Sequence, residues 1–151
     1  MKGLVLVRQK RRYLVESVEI LRAFLGDAVR LGECEIEQYY TEYKFKKYVS
    51  GENILFIKSS YTYPHGKILT QPVKITEEEY TKGFIQNQSL RKHREIFRLG
   101  TALIDVDHFI FPTNYIFVDI LDDTHDYTVL EGMTDITGQE EYRNNKIARR
   151  C

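Results

Sequence analysis

Tryptophan is absent from these 151 residues, cysteine occurs only twice and proline three times, and neither sign of charge prevails, with 22 Lys and Arg balancing 22 Asp and Glu. Cys34 and Cys151 build no disulfide framework and sit in no metal-ligand cluster, so a reducing, cytoplasmic setting is expected. A chain without net charge is not a globally basic nucleic-acid coat; anion recognition has to come from local clustering. The apolar run from Leu4 to Leu6 stops at Arg8 and is too short for a signal peptide, and no membrane segment is expected. Phosphate loops, dinucleotide fingerprints and a Ser-His-Asp order are all missing. The four histidines, His65, His93, His108 and His125, are scattered without metal spacing and read as surface or turn residues.

What is present is a pattern of alternating cations: Arg8, Lys10 and Arg12, then Lys44 and Lys46, then Lys92 and Arg94. Each set lies among β-branched or aromatic residues, where a period of two places all the charges of a set on one face of a strand. Strands of this kind around a common interior would form a basic channel, the site of a multiply charged anion.

The chain has the length of one domain and can bury a core without cross-links. Residues 4–15 alternate as a strand. Val18, Leu21, Phe24 and Leu25 recur at helical spacing, with Gly26 placed to close the helix. Strands are expected over 33–41, 42–50 and 53–59, the last two joined at Ser50-Gly51-Glu52-Asn53, where Gly51 supplies positive φ. A loop follows around Pro64, His65 and Gly66, then a short strand at 71–75. Thr76 followed by Glu77, Glu78 and Glu79 is a capping box for a helix to about Gln86. Further strands are expected near 90–98, 101–109, 113–121 and 127–130, then helical turns around Asn144 to Arg149. About eight antiparallel strands with two or three helices predict an α+β fold built on an antiparallel barrel, because closure removes exposed edges. Lumenal Lys and Arg would then imply a bound polyanion.

The order of motifs resembles one family. Residues 135–148, Asp-Ile-Thr-Gly-Gln-Glu-Glu-Tyr-Arg-Asn-Asn-Lys-Ile-Ala, are similar to the C-terminal signature of CYTH domains, the triphosphate tunnel metalloenzymes. Arg12-Tyr13-Leu14-Val15 resembles the close of the first CYTH strand, and Ile36-Glu37-Gln38-Tyr39-Tyr40 its second. Lys44-Phe45-Lys46 resembles the Arg-x-Arg strand, Leu55-Phe56-Ile57-Lys58 the strand with the tunnel lysine, and Lys92-His93-Arg94 the Lys-x-Arg strand. Asp105-Val106-Asp107-His108-Phe109 resembles the strand carrying a tunnel aspartate. The resemblance runs nearly end to end and implies a single CYTH-like domain over 1–151. It also implies a barrel in which basic residues grip a triphosphate and glutamates hold Mg²⁺ or Mn²⁺ for hydrolysis.

The departures bear on chemistry. The family's opening Glu-x-Glu-x-Lys falls on Arg8-Gln9-Lys10-Arg11-Arg12, where cations replace both glutamates. The later Glu-x-Glu falls on Thr70-Gln71-Pro72, without a carboxylate, and the one near Val118 to Leu121 retains only Asp119. Asp105, Asp107 and Asp119 are left as the candidate ligands for Mg²⁺ or Mn²⁺, which normally needs one or two carboxylates beside phosphate and water. Two added cations near a dication cost several kcal/mol of repulsion on the order-of-magnitude Coulomb scale, which counts against two-metal catalysis.

Three functions stay open. The first is a catalytically degenerate CYTH-like domain binding a phosphate-rich small molecule or an RNA 5′ end through Arg8, Lys10, Arg12, Lys44, Lys46, Lys58, Lys92 and Arg94. The second is a divergent triphosphatase using one metal on Asp105, Asp107 and Asp119. The third is a protein-interaction domain whose tunnel is closed by internal salt bridges. Glu35 and Glu37 copy the Glu-x-Glu spacing, but as the first strand they would leave some thirty residues before it unassigned.

Overall fold

A computed structural model describes residues 11–60, 71–121 and 128–149. Arg8, Lys10 and the opening strand before residue 11 lie outside these, as do the predicted loop around Pro64 and His65, and also His125 and Cys151. Among the described residues the architecture is α+β, with nine antiparallel strands and three α-helices. The strands are β1 (Arg11–Val15), β2 (Val29–Tyr40), β3 (Lys44–Ser50), β4 (Asn53–Ser59), β5 (Val73–Lys74), β6 (Ser89–Leu99), β7 (Ala102–Phe111), β8 (Ile116–Ile120) and β9 (Met133–Asp135). The helices are α1 (Val18–Leu25), α2 (Glu77–Gly83) and α3 (Asn144–Ala148). The hydrogen-bonded order is β5-β4-β3-β2-β6-β7-β8-β1-β9, and no described pairing joins its two ends, β5 and β9.

The chain divides into two compact units. The first comprises, among the described residues, 11–32, 95–107, 116–121 and 128–137. In it Ser17 caps α1 by accepting from the Ile20 N–H at 3.2 Å, and Gly26 ends the helix at φ 49°. Leu21 and Phe24 on one face of α1 pack with Tyr13, Val15, Ile104, Val106, Val118 and Ile120. Burying a side chain of this size contributes about 1.5–3 kcal/mol. Each of those strand residues alternates with a residue of the opposite face, and on β1 and β8 these are Arg12 and Asp119.

The strand expected near 127–130 is found at β9, while Thr128 to Leu130 is irregular. Pairing decides the matter. β9 is set opposite β1 with Val15 beside Met133 and Tyr13 beside Asp135, after Gly132 turns the chain at φ 94°. The Ile136 N–H donates to the Arg12 carbonyl, and the Arg12 N–H donates to the Thr137 hydroxyl, both at 2.9 Å.

The second unit comprises, among the described residues, 33–60, 71–94, 108–115 and 138–149. Gly51 closes the β3–β4 hairpin at φ 59°, as its position in the turn predicts. Thr76 caps α2 by accepting from the Glu79 N–H at 3.1 Å. That helix ends at Gly83 rather than near Gln86, because Phe84 is extended and inserts its ring into an aromatic cluster with Tyr39, Tyr80, Phe45 and Phe56. Tyr39 stacks on Phe45 with centroids 4.7 Å apart and meets Phe84 edge-on at 5.5 Å. The Tyr39 hydroxyl donates to the Tyr80 carbonyl at 2.9 Å, and the Tyr80 hydroxyl donates to the Glu37 carboxylate at 3.0 Å. This cluster fixes α2 on the face of β2, β3 and β4 that carries Glu37, Tyr39, Phe45 and Phe56.

Candidate functional site

The opposite face of these three strands carries Lys44 and Lys46. Strand register sets Lys44 opposite Tyr40 and Lys46 opposite Gln38 on one side, and Lys44 opposite Ser59 and Lys46 opposite Ile57 on the other. Directly opposed residues of an antiparallel pair project to the same face. Lys44 and Lys46 therefore emerge side by side into a cavity of about 410 Å³, lined also by Tyr48, Ser59, Ser60 and Gln71. Two ammonium groups, two serine hydroxyls, a phenol and a carboxamide meet there, and none of the described lining residues is acidic. Cationic and hydroxyl donors converging without a carboxylate are the chemistry of an anion site.

Across the strand pair from the two lysines, β2 presents buried polar residues. Gln38 has no exposed surface and Tyr40 is 2% exposed. The Gln38 amine donates to the Tyr40 hydroxyl at 2.5 Å. Sequence reasoning placed Gln38 and Tyr40 in a matching strand without assigning them a role. The signal was the short turn at 41–43, which sets Gln38 against Lys46 and Tyr40 against Lys44.

Lys92 and Arg94 alternate on β6 with His93. His93 reaches Glu35 with Nδ1 at 2.5 Å and Glu33 with Nε2 at 3.1 Å, which puts it on the Glu37 side of the sheet. Lys92 and Arg94 consequently share the face of Gln38 and Lys46 within this unit. Lys92 is fully buried with its ammonium 5.4 Å from the centre of the Phe109 ring, a cation–π arrangement. Glu35 and Glu37 are engaged by His93 and Tyr80, away from the lysine face.

Lys58 departs from its expected place. It is opposite Phe45, so it projects from the other face of β4 from the one bearing Ser59. There its ammonium sits 4.1 Å from the centre of the Tyr43 ring. The sequence grouped it with Lys44 and Lys46; the hairpin register separates it from them.

In the first unit Arg12 and Asp119 pair with each other. Arg12 Nε donates to Asp119 Oδ1 at 2.7 Å and Nη2 to Oδ2 at 2.9 Å, with side-chain exposures of 11% and 1%. The Arg12 guanidinium also lies 4.7 Å from the centre of the Phe117 ring. Asp105 and Asp107 alternate on β7, Asp107 without exposed surface. Both Asp119 oxygens being held by a guanidinium, the three aspartates do not fit a shared Mg²⁺ or Mn²⁺. Among the described residues no group of three His, Cys, Asp or Glu is arranged to hold a metal ion. No helix among them is long and apolar enough to cross a membrane.

No protein-family model matches the chain, and no curated protein matches it in sequence. Its fold is similar to that of solved structures. The hypothetical protein NE1496 aligns over 93% of this chain and 96% of its own, with a TM-score of 0.61 and 14% identity. PH1819 from Pyrococcus horikoshii OT3 aligns over 74% of this chain and 77% of its own, with a TM-score of 0.54 and 14% identity. PH1012 from the same organism covers 76% of this chain and 79% of its own, with a TM-score of 0.50 and 10% identity. At these identities the likeness concerns the fold alone.

Proposed function

We propose that the chain is a CYTH-like domain lacking most of the family's metal-binding glutamates, and that it binds a triphosphate or other phosphate-rich anion without two-metal hydrolysis. The observation that carries this reading is the cavity into which Lys44 and Lys46 project together, lined by hydroxyls and no described carboxylate. The motif order from Arg12 to Ala148 supports it, as does the burial of Lys92 on the same sheet face. The Arg12–Asp119 pair supports the loss of metal chemistry, because a carboxylate saturated by a guanidinium is a poor cation ligand. The proposal includes the barrel that the resemblance implies.

The test is a thermal-shift series with tripolyphosphate, ATP and a 5′-triphosphorylated RNA, with and without Mg²⁺ or Mn²⁺, while released phosphate is assayed. A ligand bound only by the folded state raises stability by about 2.7 kcal/mol at a hundred times Kd. The expected result is a rise in melting temperature without metal and without phosphate release, lost in Lys46→Ala. Metal-dependent phosphate release abolished by Asp107→Ala would replace this reading with the divergent triphosphatase. No shift with any polyanion would leave the interaction domain.

A further inference from the structure

The Gln38 side chain on the lysine face carries an oxygen whose hydrogen-bonding capacity is unused. Gln38 is fully buried, and its carboxamide oxygen has no hydrogen-bond partner. A buried carbonyl left unsatisfied costs free energy, and folded proteins rarely retain one without a compensating use. The Gln38 side-chain N–H donates to the Tyr40 hydroxyl on the same strand, which leaves Oε1 as the open end of the group. An oxygen of this kind accepts hydrogen bonds, so a phosphoryl oxygen cannot satisfy it; a cation with several N–H donors can.

The residue directly across the strand pair from Gln38 is Lys46. Opposed Cβ atoms in an antiparallel pair lie about 4.5–5.5 Å apart, so a lysine stem reaches the end of the glutamine side chain without any backbone change. The Lys46 ammonium sits 5.5 Å from the centre of the Tyr48 ring, at the wall of the cavity. An ammonium has three N–H donors and can give one to Gln38 Oε1 while directing the others at an anion in the cavity.

We propose that Gln38 is a positioning residue for the phosphate site: its side-chain oxygen accepts from the Lys46 ammonium when an anion occupies the cavity, fixing that ammonium against a phosphoryl oxygen. This inference rests on the anion-binding reading above. It assigns Gln38 no contact with the ligand. Tyr40 acts behind it, engaging the amide N–H and leaving the oxygen for Lys46.

The experiment is a double-mutant cycle read by calorimetric titration with tripolyphosphate: wild type, Gln38→Met, Lys46→Met and the pair. Gln38→Met is nearly isosteric; it removes the unsatisfied oxygen and also the hydrogen bond to the Tyr40 hydroxyl, so affinity is read at a temperature where the variant is folded. Its affinity for tripolyphosphate should fall about tenfold, the worth of one hydrogen bond to a charged group. In the Lys46→Met background the same change should cost nothing, because Gln38 acts only through Lys46. Unchanged affinity in Gln38→Met, or an equal loss in both backgrounds, would overturn the inference while leaving anion binding intact. A wild type that binds no tripolyphosphate would overturn both. Should Gln38→Met fail to fold, NMR on the wild-type protein decides: the Gln38 side-chain amide and Lys46 ε-methylene signals shift together on titration, and an unmoved Gln38 amide in the bound state refutes the role.

Discussion

Both carboxylate oxygens of Asp119 are occupied by the guanidinium of Arg12, at 2.7 and 2.9 Å, across 107 residues of sequence. The pair joins β1 to β8, where the two residues are directly opposed. It converts a position that the CYTH resemblance offers for a metal into an internal ion pair.

The pair should be far more costly to break than to replace. Removing one partner leaves an uncompensated charge in a buried setting, which costs about 3–5 kcal/mol. Asp119→Ala should therefore lower unfolding stability by about that amount in urea denaturation. Arg12→Met combined with Asp119→Leu should recover most of it, since well-packed apolar replacements of buried pairs are often neutral. A double variant as unstable as the single one would show that the pair does more than neutralise itself.

Alkaline pH should destabilise the protein through two buried tyrosines of the second unit. Burial pushes the Tyr39 hydroxyl up to about 12 from its ordinary value of 10.0. Tyr80 is raised further, first by burial and then by the Glu37 carboxylate that accepts its hydrogen bond. Raised folded-state values favour the protonated form, so their stabilisation is complete below the unfolded value near 10. It is lost as pH rises toward 12, because the unfolded chain releases its protons first. Denaturant titrations at pH 9, 10 and 11 should show falling stability, with a shallower fall in Tyr39→Phe. A flat profile over that range would contradict the arrangement.

Packing of α2 on β2 can be tested at one glycine. A Cβ on Gly83 would lie 2.7 Å from the Tyr39 hydroxyl, which is held in place by its bond to the Tyr80 carbonyl. Alanine favours a helix by about 1 kcal/mol, but overpacking a fixed neighbour costs about 1–3 kcal/mol. Gly83→Ala should be net destabilising by thermal melting. Gly32→Ala, where an added Cβ meets nothing within 4 Å, should leave the melting temperature unchanged or slightly raised.

These residues also show what the sequence disclosed and what it withheld. Gly26 closed α1 because caps are local chemistry, and Thr76 opened α2 for the same reason. The alternation of Lys44 with Lys46 placed both on one face because the period of a strand is local as well. Lys58 was misplaced because a period of two does not carry across a hairpin. The turn at Gly51 and Glu52 sets Ser50 against Asn53 and so puts Lys58 opposite Phe45. The strand at Met133–Asp135 was hidden because its stability comes from β1, more than a hundred residues away, rather than from its own composition. The Arg12–Asp119 pair was hidden for the same reason.

The central claim, an anion site built on Lys44 and Lys46, is tested most directly by titrating tripolyphosphate into wild type, the Lys44→Ala/Lys46→Ala double variant and Lys58→Ala. The register predicts that the double variant loses binding at least a hundredfold, from two charge-assisted contacts, while Lys58→Ala, on the opposite face, binds as wild type does. Equal affinity in wild type and in the Lys44→Ala/Lys46→Ala variant would contradict the account.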